Sequence, residues 1–113
     1  MQTIAETRYF LSKVEKILTP REHERILLSL AVDPYLGVLI EGTGGLRKMR
    51  AARDGAGKSG GFRVVYYYFD ETVPLILLDL FAKNEKTNLT KAERNALALM
   101  VDDLKKAWKR RRA

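Results

Sequence analysis

Cysteine is absent from all 113 residues of the chain. Its absence excludes a disulfide framework, a thiolate metal site and a cysteine nucleophile. Histidine occurs once, at His23, so no pair of histidines is available to exchange protons across a phosphodiester. The carboxylates are scattered singly, without the spacing that holds a divalent cation. Two-metal hydrolysis is therefore not expected, and neither is a metal or any other cofactor. No apolar run approaches the roughly 20 residues of a membrane helix. The opening MQTIAETRYF lacks a basic stretch followed by an apolar core, so a secretory leader is not expected either. The reading is a cytoplasmic protein with no membrane partner, long enough for one domain over 1–113 and too short for two.

What is present is cationic charge, unevenly placed. The formal charge is +7. Residues 47–63 hold six Lys/Arg (Arg47, Lys48, Arg50, Arg53, Lys58 and Arg63) against one acid, Asp54. Residues 105–112 hold six more against none, while the remainder has nine bases and thirteen acids. A charge run is commonly just a solvated face. Two basic zones on a mildly acidic body point instead to an anionic partner, RNA above all.

Periodicity sets the architecture. Residues 2–7 suggest a short first strand, and Phe10, Leu11, Val14, Ile17 and Leu18 follow helical spacing. Thr19-Pro20-Arg21-Glu22 supplies an N-cap, a proline at the first helical position and a glutamate at the third, opening a second helix that stops before Asp33-Pro34. Strands are expected over 38–40, from Leu46 to about Ala52, over 62–69 and over 73–82. The last is almost continuously apolar and so interior to the sheet. Thr90-Lys91-Ala92-Glu93 opens a C-terminal helix with the stripe Leu97, Met100, Val101, Leu104 and Trp108, read as core. A basic tail over 109–113 is expected to fray into solvent. The fold class is α+β: a small, mainly antiparallel sheet of four to five strands, an N-terminal helical hairpin and a C-terminal helix, with the helices on one face.

Alternation in the Leu46 strand places Lys48 and Arg50 on one face, Arg47 and Met49 on the other. Arg63 opens the next strand after Gly60-Gly61, among five other cations. The loop from Asp54 to Gly61 holds four glycines and is expected to move until a partner binds. Its Gly57-Lys58-Ser59 is not a P-loop: Ala52 occupies the required earlier glycine position, and a strand follows rather than a helix. His23 is read as a surface residue. Of Tyr66, Tyr67 and Tyr68, at least one is core, and one on the cationic face would stack a base. Lys83-Asn84-Glu85-Lys86 reads from spacing alone as a polar turn.

A phosphodiesterase built from such residues must rely on Lys, Arg and Tyr. That is feasible for RNA, whose own 2′-hydroxyl is the nucleophile once it is held in line with the adjacent phosphate. Arginine and lysine stabilise the charge gathering on phosphorus oxygens, and a lysine of lowered pKa can move protons.

The succession GTGGLRKMR, GKSGGFRVVYYY and LILLDLFAKNEKTNLT resembles the HigB branch of the RelE/ParE toxins of bacterial toxin–antitoxin systems, over about Val38 to Thr90. The resemblance implies a RelE-like fold and a metal-independent, ribosome-dependent endoribonuclease that cuts translated mRNA. It implies catalytic roles for Lys48, Arg50, Arg63 and Lys83. Arg47, Arg53, Lys58, Tyr67, Asn84 and Lys86 then join as RNA contacts. Partners would be the ribosome, mRNA and a HigA-like antitoxin, the toxin being monomeric alone and oligomeric with its antitoxin. RelE itself has arginine where this chain has Asn84. Nothing in Thr87-Asn88-Leu89 replaces RelE's C-terminal tyrosine, so proton transfer has no assigned residue. Two alternatives stay open: a ParE-like inhibitor of DNA gyrase, which shares the fold, and a non-catalytic nucleic-acid-binding protein.

Overall fold

A computed structural model describes residues 1–55, 61–86 and 88–112. The elements run β1 (Ile4–Glu6), α1 (Arg8–Ile17), α2 (Pro20–Val32), β2 (Val38–Leu39), β3 (Leu46–Ala51), β4 (Phe62–Tyr67), β5 (Leu75–Ala82) and α3 (Lys91–Arg112). The expected mobile segment, with Lys58, falls largely in 56–60 and lies outside the described residues.

Each helix starts where a side chain satisfies its open N–H groups. Thr7 accepts from the Phe10 N–H at 3.1 Å and donates its hydroxyl hydrogen to the Leu77 carbonyl at 2.9 Å, tying the cap of α1 to β5. Thr19 and Glu22 form the capping box of α2. Thr90 and Glu93 exchange the same two bonds at the start of α3, at 2.8 and 3.1 Å. Helix α3 runs through to Arg112. The sequence suggested fraying after Trp108, but Lys109 to Arg112 are good helix formers with no breaker among them.

The five strands form one sheet in the order β1-β5-β4-β3-β2. Strand β1 pairs parallel with β5, and the other neighbours are antiparallel. Between Val65 and Tyr66 the β4–β5 register shifts, leaving two β5 residues, Leu78 and Asp79, in the space of one. Leu77 and Leu80 consequently share a face although three positions apart, and both are fully buried.

That face carries Met49, Phe62, Val64, Tyr66, Leu75, Leu77 and Leu80, covered by Phe10 of α1 and by Ile26 and Leu30 of α2. The opposite face carries Leu46, Val65, Tyr67, Leu78 and Phe81, covered by Leu97, Val101 and Trp108 of α3. The helices therefore lie on both faces, not on one as expected. The reason lies in β4, whose alternate positions are apolar on either side. A two-helix hairpin covers one side only, and α3 must close the other. Met100, expected in the core stripe, is turned out and 44% exposed. His23, read as a surface residue, is half-buried and paired with Glu6.

Two polar ties fix the segments flanking β3. The Tyr66 hydroxyl accepts from the Gly37 N–H at 2.8 Å and donates to the Pro34 carbonyl at 2.9 Å. A side chain at Gly37 would meet the Lys48 carbonyl and the Tyr66 ring at 2.8 Å, so only glycine permits this approach. Beyond β3, Glu22 accepts from the Asp54 N–H at 2.8 Å as well as from its own cap. Burial pushes the Glu22 carboxyl up, but the Thr19 and Asp54 N–H groups outweigh it and hold the group below its ordinary value.

Replacing Tyr66 by phenylalanine leaves the Gly37 N–H buried without an acceptor. It is expected to cost about 1–3 kcal/mol, read as a lower Tm. Glu22, with a depressed folded pKa, contributes stability above the ordinary carboxyl range, lost as pH falls through the lower folded value. Glu22→Gln is thus expected to reduce stability at neutral pH by about 1 kcal/mol. Denaturant titrations should show that deficit closing in acid.

Candidate nucleic-acid interface

Alternation along β3 and β4 sorts the cations. Leu46, Lys48 and Arg50 stand on the α3 face opposite Tyr67, Val65 and Arg63 respectively. Helix α3 covers the Leu46–Tyr67 end of this pair, and the Arg50–Arg63 end is left open. Lys48, Arg50 and Arg63 line one groove of about 670 Å³ together with Leu36, Val38, Met49 and Asn88. Leu36 and Val38 make its apolar side. Lys48 donates to the Asn88 side-chain oxygen at 3.2 Å, and beyond that contact a second cavity of about 340 Å³ is lined by Ile40, Lys48, Asn88, Leu89 and Arg94.

Among the described residues, no carboxylate lines either cavity. Among the described residues, Lys13, Arg25 and Lys86 pair with Asp79, Asp54 and Glu93, whereas Lys48, Arg50, Arg63 and Arg94 have no ion-pair partner. Asp54, the single acid of the basic segment, is taken by Arg25 at 2.6 Å. Arg50 and Arg63 are direct cross-strand partners, an arrangement that like charges make unfavourable in the absence of an anion. An anion seated between them would be held by two forked guanidiniums and an ammonium, a donor set suited to phosphate.

The other sequence-derived candidates lie elsewhere. Arg47 is on the opposite face, donating to the Gly37 carbonyl at 2.7 Å and resting over the Tyr35 ring. Arg53 is exposed and lies over Phe62. Tyr67 is on the cationic face but 2% exposed, stacked on Trp108 with ring centroids 5.7 Å apart, so no base can reach its ring. Burial, with Asp70 adding, also pushes its phenol above the ordinary value, away from proton transfer at neutral pH. Lys83 follows β5, its N–H bonded to the Gly61 carbonyl at 3.0 Å, and is not in the groove lining. Asn84 is exposed in the same turn. Lys86 is engaged by Glu93 and lies over Phe81, whose strand partner is Arg63.

Asn88 and Arg94 were not among the candidates read from sequence. Arg94 carried a signal nonetheless: it continues the buried stripe Leu97, Val101, Leu104, Trp108 by one further turn, a cation in the phase that faces the sheet. Asn88 had none, because its place depends on how the chain enters α3.

The family model for the RelE toxin of the RelE / RelB toxin–antitoxin system matches residues 21–111. The chain belongs to the RelE toxin family. That family membership implies an antitoxin partner. The matched span contains β2 to β5, the groove and nearly all of α3, so the family's sequence pattern and the cationic face are carried by the same residues. No helix among the described residues is long and apolar enough to cross a membrane. No group of three or more His, Asp or Glu among them is arranged to hold a metal ion.

Because Arg50 and Arg63 repel across the ladder, Arg63→Ala is expected to leave stability within about 0.5 kcal/mol of wild type or above it. Raising the salt should stabilise the wild type more than the variant, because screening relieves the repulsion. Thermal melts at low and high ionic strength check both. A large loss of stability on removing Arg63 would mean that its charge is balanced in the fold.

Proposed function

We propose that this toxin is a metal-independent endoribonuclease of the HigB branch, cutting mRNA as it is translated on the ribosome. The observation that carries the reading is the opposed pair Arg50 and Arg63, with Lys48 beside them, around an acid-free groove in a RelE-family chain. In this reading the scissile phosphate sits among the three cations. The 2′-hydroxyl of the preceding ribose gives up its proton to solvent, and its oxygen attacks phosphorus in line. The new bond closes a 2′,3′-cyclic phosphate, and the bond to the 5′-oxygen breaks to leave a 5′-hydroxyl once that oxygen takes a proton.

The cations act by electrostatic stabilisation, because negative charge on the non-bridging oxygens grows as phosphorus becomes five-coordinate. Arg63 and Arg50 meet that charge with paired N–H donors, and Lys48 adds a point charge. The apolar side formed by Leu36 and Val38 flanks the base. Lys83, one residue past β5, would enter only with a shift of the turn after that strand. Arg53, Asn84, Lys86 and Lys58 are assigned to the flanking RNA, and the chain acts as a single domain in the cytoplasm. Its partner in this reading is a HigA-like antitoxin, with the toxin monomeric by itself.

The decisive experiment is mapping of mRNA 5′ ends after brief induction, wild type against Arg63→Ala. Cuts within translated frames should appear with wild type and vanish with the variant, since loss of one charge-stabilising donor costs on the order of 10²–10³ in rate. Growth arrest with intact mRNA and altered supercoiling would replace this reading with gyrase inhibition. Binding without arrest or cleavage would replace it with a nucleic-acid-binding role.

A further inference from the structure

We infer that Arg94, with Asn88 and Lys48, forms a second phosphate position for the same RNA strand, next to the reaction groove on its α3 side. The inference rests on reading the groove as an RNA site and assigns the neighbouring nucleotide to the smaller cavity.

Three observations carry it. First, the two cavities share Lys48 and Asn88, so they are consecutive compartments of one channel divided by the contact between those side chains. Second, the smaller compartment repeats the composition of the larger one. Ile40 and Leu89 give it apolar surface, Arg94 and Lys48 supply charge, and no acid among the described residues lines it. A nucleotide needs both kinds of surface, apolar for base and sugar and cationic for phosphate. Third, Arg94 is in phase with the α3 stripe but one turn beyond its buried part, exposed on the side of the helix that faces the sheet. The adjacent acid, Glu93, is engaged by Lys86 and by the Thr90 N–H. Arg94 has no ion-pair partner among the described residues.

Chemically, the second position would fix strand direction. A phosphate held by Arg94 and another held between Arg50 and Arg63 define a line, and the ribose between them is constrained to present its 2′-oxygen along it. Lys48, bordering both compartments, would exchange Asn88 for a phosphate oxygen when the strand enters. Asn88, released, has both a donor and an acceptor for a base edge or ribose hydroxyl.

The test is binding of a short single-stranded RNA bearing 2′-O-methyl groups, which cannot be cut, across a series of salt concentrations. A dinucleoside monophosphate serves as the comparison. With Arg94→Gln the longer strand should bind roughly tenfold more weakly at low salt. Its plot of log affinity against log salt should become less steep by about 0.7, the contribution of one single-strand phosphate. Binding of the dinucleoside monophosphate should be unchanged, and Arg94→Lys should restore the slope. An unchanged slope in Arg94→Gln, while Arg63→Ala reduces it, would overturn the second position and leave the nuclease reading standing. Equal losses for both ligands would overturn it too, placing Arg94 in the main groove. Absence of salt-dependent binding by wild type would overturn the second position, whereas the nuclease reading falls only if translated mRNA stays uncut.

Discussion

The structure depends on the apolar character of β4 and β5 on both of their faces. Phe62, Val64 and Tyr66 point one way and Val65 and Tyr67 the other, so neither face of the sheet centre tolerates water. The α1–α2 hairpin covers the first. Helix α3 covers the second, anchored by Trp108 on Tyr67 and by the Lys105 ammonium on the Gly44 carbonyl at 2.7 Å. Its stripe covers only part of that face, however, and the chain becomes cationic where apolar cover runs out. Core and cationic groove are two ends of one surface, divided within the strand pair β3–β4.

This division explains how so much like charge is tolerated. Among the described residues three bases are neutralised by an acid: Lys13 by Asp79, Arg25 by Asp54 and Lys86 by Glu93. Asp79 shows what an ion pair costs in the interior. Burial pushes its carboxyl up, only partly countered by the Leu80 N–H and by Lys13. Around the groove, as at several other surface bases, the cations are left to solvent, and four stand together in accessible positions without an ion-pair partner among the described residues. In water that costs little per residue, and the repulsion is screened by salt.

Much of this was legible in the residues. Capping boxes located α2 and α3 to the residue, because their chemistry is local. Alternation put Lys48 and Arg50 on one face and Arg47 on the other, because a strand has a fixed period. What escaped was everything set by the partner of an element. Tyr67 shares the cationic face as expected of one of the three tyrosines, yet Trp108, forty-one positions along, decides that it is core. The β5 bulge could not be read, since an apolar run hides its own register. That the helices divide between both faces is hidden in the same way, since β4 is apolar on its two sides at once. Lys86, an RNA contact by resemblance, has Glu93 beside it only because α3 folds back to that turn.

Tyr66 gives the groove a property that its lining does not disclose. Its hydroxyl, reaching from the core, fastens the backbone at Pro34 and Gly37, and that stretch carries Leu36 and leads into Val38. The apolar side of the groove is thus set when the protein folds, not when a strand arrives. Its conformational entropy has already been surrendered during folding, and an incoming ligand finds that wall in place. Selectivity at this side should accordingly follow shape, rejecting bulk that a yielding wall would absorb.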